Sequence, residues 1–290
     1  MNMLFSRLCL LVLLPSLLSA CSLGQIVARS SLTIMDSGVI SMNRETDLAL
    51  AKAAIPANLK LVESLVLELP ANRELREHAA QGFYGYAFGF VEDENPARAS
   101  ALYQRGLKHA LVALESSGLT GDIDSMPQAV LQQRVAELGR DAVPGLFWAA
   151  SNWAKWIDLN RTEPARISEM GKVETLMRRA LELDETYYFG GPHLFFGVWY
   201  GSRPPMLGGD FALAEQHFGK ARNITQGKLL VVDLLHAQYL AVQQGKRETF
   251  HAKLAFVASA PQDIFPEMAL ANAIAQDKAR RLLAKEDELF

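Results

Sequence analysis

The sequence predicts an all-α protein, an α-solenoid of about eleven helices arranged as packed hairpins. Three observations carry that expectation. Apolar residues recur at steps of three and four, helix-starting residues stand in front of those stretches, and no period-two alternation bounded by hairpin turns occurs. Composition agrees: of 290 residues, 50% are apolar and 21% charged, with 20 glycines and 12 prolines. Such a chain is neither a disordered tail nor a multi-span membrane protein. A formal charge of −3 leaves no electrostatic footprint for nucleic acid.

Residues 1–20 read as a signal peptide. Arg7 precedes an apolar run from Leu8 to Leu14 that Pro15 interrupts. The run is too short to span a hydrocarbon layer, which needs about 20 residues. Leu18-Ser19-Ala20-Cys21 directly behind it resembles the bacterial lipoprotein signal, with Cys21 as the lipidated residue. Of the 2 cysteines, Cys9 would leave with the signal and Cys21 would carry lipid, so no disulfide and no thiol chemistry is expected. Multiple acyl chains hold firmly where one holds weakly. The expected location is therefore the periplasmic face of a membrane. Ser22, which is not an aspartate, favours the outer membrane by resemblance to Gram-negative lipoproteins.

Residues 21–44 are expected to form the lipidated tether, with a reach of ~25 Å as flexible coil. Its apolar residues, including Ile34, Val39 and Ile40, point to partial packing on the body. Residues 45–290 form the expected helical-repeat domain. Asn95-Pro96 supplies a cap and a first-turn proline, and Ala99, Leu102, Tyr103, Gly106, Leu107, Ala110, Leu111 and Leu114 make one apolar stripe. Asn72, Pro127, Pro144, Pro192, Asp210 and Pro266 precede further helices at Leu75–Phe90, Val130–Leu138, Phe147–Leu159, Leu194–Tyr200, Phe211–Ala221 and Met268–Leu283.

Internal similarity follows a tetratricopeptide pattern. Phe83-x-x-Tyr86-Ala87-x-x-Phe90 with Ala99-x3-Tyr103-x2-Gly106 fits both helices of one copy. His193-x-x-Phe196-Gly197-x-x-Tyr200 with Ala214-x3-Phe218-x2-Ala221 fits a second. Val173-x3-Met177-x2-Ala180 is half a copy, and Phe250-x3-Leu254-x2-Val257 a degraded one. The closing positions are 74, 41 and 36 residues apart, against a period of about 34, so the copies are cryptic and carry insertions. Small residues let paired helices approach, and stacked pairs bury a core that no single pair could. A generic helical bundle is the alternative.

The stretches Leu69 to Phe90, Ala101 to Leu107, Pro144 to Ile157, Leu181 to Tyr188, Pro205 to Asp210 and Gly227-Lys228, taken in order, resemble the TatT component associated with TRAP-type transporters. These are periplasmic lipoproteins built on cryptic tetratricopeptide repeats, and the likeness runs from about Thr46 to the C-terminus. The resemblance implies a non-enzymatic accessory that works with a periplasmic solute-binding protein delivering small organic acids or apolar ligands. It carries over no catalytic or partner-binding residues.

Motif chemistry is sparse. The 6 histidines include no pair three or four apart, so no metal site is expected. Asp122-x-Asp124 opens like a calcium loop but lacks the later ligands, and Glu92-Asp93-Glu94 reads as a solvated turn. Gly190-Gly191 and Gly208-Gly209 read as turn glycines, since no phosphate-loop motif surrounds them. No cofactor and no catalytic residue is expected. The aromatic-rich segments provide the candidate ligand or partner groove: Trp153, Trp156, Tyr187, Tyr188 and Trp199, with core packing as the competing role. The favoured expectation is a membrane-tethered adaptor for a TRAP solute-binding protein. The alternatives are a stand-alone carrier of lipid or aromatic ligands and, further off, an envelope hydrolase. Homo-oligomerisation is left open by the sequence.

Overall fold

The computed structural model of the protein describes residues 23–290. The signal peptide expected over 1–20 and the lipidation expected at Cys21 lie outside the described residues. Among the described residues there is no strand, and the chain is all-α. The helices are α1 (Leu23–Ser30), α2 (Leu32–Asn43), α3 (Leu48–Glu68), α4 (Arg73–Phe90), α5 (Pro96–Ser116), α6 (Gln128–Ala136), α7 (Val143–Leu159) and α8 (Pro164–Ser168). They continue as α9 (Met170–Leu183), α10 (Tyr187–Gly201), α11 (Phe211–Ile224), α12 (Leu230–Leu235), α13 (Arg247–Ser259), α14 (Ala269–Leu283) and α15 (Glu286–Leu289). A π-helical stretch, His236–Ala241, extends α12.

Side-chain caps fix several starts. Asp47 Oδ1 accepts from the Ala49 and Leu50 amides at 2.9 and 3.0 Å. Asn72, Asn95 and Asp210 accept from the amides of Leu75, Arg98 and Leu213, satisfying donors that a helix start leaves unpaired. Successive helices then pack side by side: α3 on α4, α4 on α5, α5 on α7, α7 on α9, α10 on α11 and α13 on α14. Small residues set the approach. A Cβ on Gly197 would lie 2.9 Å from the Phe218 ring, so α10 and α11 could not meet as closely with alanine there. The main core lies between α5, α7 and α9, where Trp153, Leu114, Leu146, Leu176 and Met177 are fully buried.

Two features depart from the sequence expectation. Residues 23–43, expected as tether, form α1 and α2. No described side chain of α2 is buried, although it packs along α14. The acidic turn Glu92-Asp93-Glu94 is not simply solvated. Glu92 is mostly shielded from solvent and receives Lys155 at 2.8 Å, Lys278 at 3.1 Å and the Tyr103 hydroxyl at 2.6 Å. Asp93 receives Lys278 at 2.8 Å and Arg281 at 3.0 Å. Lys278 lies 186 residues from Glu92, beyond any local pattern. Through these contacts and the packing of Leu270 and Ile274 with Ala51, Ile55 and Phe88, the last long helix joins the first ones.

Candidate functional site

The joined helices surround an apolar chamber of about 1020 Å³. That is at the top of the usual range for small-molecule sites, roughly 300–1,000 Å³. Its wall draws on α2, α3, α4, α7, α10, the start and π-helical end of α12, and α14. Each helix contributes residues at helical spacing. Tyr84 and Phe88 of α4 stack at 6.2 Å, and Trp148 of α7 meets Tyr84 at 5.6 Å and Tyr188 at 4.8 Å.

Tyr188 reaches the wall through an unusual backbone. It and Phe189 adopt φ of 46° and 59°, left-handed values that cost a non-glycine residue about 1–2 kcal/mol each. Gly190 follows at 77°. The aromatic packing around both rings holds the bend, with Phe189 edge-on to Phe265 at 5.2 Å. Burial pushes the Tyr188 hydroxyl up to about 12, while Gln81 donates to it at 3.5 Å.

The polar lining is limited and mostly paired. Burial alone would lower the Lys155 ammonium, but Tyr239, Glu92, Asp158 and Tyr84 hold it well above the ordinary lysine value. Burial likewise opposes ionisation of Glu92, and Lys155 and Lys278 outweigh it, keeping the carboxyl below its usual range. Arg161 pairs with Asp158. His78 Nε2 meets Asp36 at 3.0 Å, tying α4 to α2. Asp36, Glu74 and His78 bring three potential metal-ligand atoms within 4.8 Å of one another, with both carboxylates exposed. Among the described residues no helix is long and apolar enough to cross a membrane.

The structure separates the five aromatic residues expected in a groove. Tyr188 and Trp199 line the chamber. Tyr187 packs edge-on to Phe147 at 5.3 Å, beside the wall. Trp156 is partly buried, with Arg166 over its ring at 4.5 Å. Trp153 is fully buried in the core and donates from Nε1 to Glu169 at 2.7 Å. Sequence reasoning missed Tyr84, Phe88, Trp148 and Lys155 as lining residues. The helical periodicity placed them on apolar faces, and a lysine at 155 inside such a face was the one signal that the face was not ordinary core.

Fold and chamber together define the class: an all-α protein of packed hairpins organised around an apolar chamber that opens to solvent. The model of one family, described as the TRAP transporter T-component, matches residues 44–290, and the chain belongs to that family. It is thus an accessory component of TRAP-type transport. The match begins where α2 ends and takes in every helix from α3 onward. A protein of Treponema pallidum (strain Nichols), itself described as uncharacterized, is 25% identical over 262 residues, covering 85% of this chain and 81% of that one.

Proposed function

We propose that the protein is a lipid-anchored periplasmic accessory that docks the solute-binding protein of a TRAP-type transporter and holds an apolar ligand in its chamber. The observation behind this reading is the chamber itself: about 1020 Å³ of space walled by aromatic and aliphatic side chains within one chain. Left without a ligand, so much apolar wall would stay exposed to water, as a binding groove does and an ordinary core does not. The role is non-catalytic, and the hairpins act as cryptic tetratricopeptide-like copies that shape the wall. Anchorage is through Cys21, with the outer membrane as the favoured site.

Co-purification from native membranes tests the docking. The expected result is recovery of the solute-binding protein encoded nearby, with direct binding by calorimetry; neither occurring would overturn it. Native mass spectrometry of the freshly isolated protein tests the chamber, with a small apolar molecule expected. A retained molecule without partner binding would favour a stand-alone carrier, which the chamber also fits. Replacing Cys21 with alanine is expected to release the protein from the membrane fraction and abolish palmitate labelling.

A further inference from the structure

The charged groups of the chamber are unequal. Among the described lysines and arginines that line it, Lys155 has Glu92 and Arg161 has Asp158, but Arg203 has no carboxylate within 4.0 Å. Arg203 is half-buried. Its Nε and Nη2 donate to the Trp199 carbonyl at 3.2 and 2.8 Å, which leaves Nη1 without a hydrogen-bond partner among the described residues. Burial holds the guanidinium below the ordinary arginine value; Glu174, beyond ion-pair distance, opposes that shift and Arg161 adds to it.

The approach to this cation is aromatic. Phe195, Trp199 and Arg203 follow at steps of four along α10 and the residues just after it, so they share one face, and all three line the chamber. The Phe195 and Trp199 rings stack at 5.6 Å with 21° between planes, and the Arg203 guanidinium lies 4.5 Å from the centre of the Trp199 ring. From Leu194 to Arg203 the wall runs about 14 Å, at 1.5 Å per residue. A ligand lying along it would meet apolar surface over that length and, at the end, the Arg203 cation, the one lining cation without an ion-paired carboxylate among the described residues. A charge-assisted hydrogen bond to Nη1 would satisfy the donor and compensate the cation together.

We propose that Arg203 receives the anionic end of an elongated amphipathic ligand whose apolar part lies along Phe195 and Trp199, so that the chamber selects organic monoanions over uncharged apolar molecules. This rests on the reading of the chamber as a ligand site. Lys155 does not compete for the role, because Glu92 already faces it at 2.8 Å.

The test compares cis-parinaric acid with its methyl ester by fluorescence titration of the ligand-stripped protein at pH 7.5. Wild type is expected to bind the acid at least about tenfold more tightly than the ester, a difference of about one charge-assisted contact. Arg203→Gln is expected to erase that preference while leaving ester affinity within twofold, and Arg203→Lys to keep it. The ester titration also reports whether each variant retains its chamber. Equal affinities in wild type, a preference that survives in Arg203→Gln, or one lost in Arg203→Lys would overturn the assignment to the Arg203 charge. Binding of neither probe would overturn the ligand-site reading beneath it.

Discussion

Protonation of single residues sets how the fold responds to pH. With His193 Nε2–H donating to Glu185 at 3.0 Å, its Nδ1 accepts from His217 Nδ1–H at 2.9 Å, an arrangement that needs a neutral His193 ring and cannot survive when both rings are charged. Burial lowers both values, His217 to about 4. The unfolded chain therefore binds more protons once pH falls below about 6.5, and stability is lost progressively from there down through about 4. Thermal unfolding should show a lower Tm at pH 5 than at pH 7.5, and His217→Gln should flatten that acid limb. Glu77 acts in the opposite direction. Burial raises its carboxyl to about 7, and its Oε1 is buried without a hydrogen bond. Its contribution is present below the unfolded value and is lost as pH rises through about 7. Glu77→Gln should therefore stabilise the protein at pH 8, by about 1–2 kcal/mol after screening, with little effect near pH 5. Trp153→Ala should cost about 3–5 kcal/mol, read as a drop in Tm, because the ring is core rather than groove.

At the scale of the element, the starts of helices were the most legible feature. Asn95 lies in front of Pro96 in the sequence, and its side chain caps α5 at 3.0 Å. Asn95→Ala should cost about 1 kcal/mol in denaturant unfolding. The bend in α10 was not legible. Pro192 marked a start near Leu194, and the right-handed helix does begin just after Gly190; what the sequence did not show is the left-handed run Tyr188-Phe189-Gly190 ahead of it, two aromatics and a glycine that tertiary packing holds there. The chamber was hidden for a related reason. Periodicity shows that Tyr84, Phe88 and Trp148 lie on apolar faces, but it does not distinguish a face that meets another helix from one that borders open space. Trp153 and Trp199 illustrate the limit. Both are tryptophans in aromatic-rich helices, yet one fills the core and the other lines the chamber.

Over the whole molecule, the clasp between Lys278 and the Glu92-Asp93 turn links the last long helix to α4 and α5. The lysine is 5% exposed, so its loss would leave buried carboxylate oxygens short of a partner. Lys278→Met should destabilise the protein by about 3 kcal/mol, less whatever Lys155 continues to supply to Glu92. The same variant should release cis-parinaric acid methyl ester faster in stopped-flow displacement, since Ile274 and Leu270 on that helix form part of the wall.

Because α2 near one terminus and α14 near the other both border the same space, the container cannot be assembled in instalments. A nascent chain lacking its final helices has nothing to enclose cargo with, and pairing regions this distant in sequence is a slow step. On the proposed ligand-holding role, loading follows complete synthesis, and a protease cutting just ahead of α14 is expected to release the bound molecule while leaving most hairpins folded.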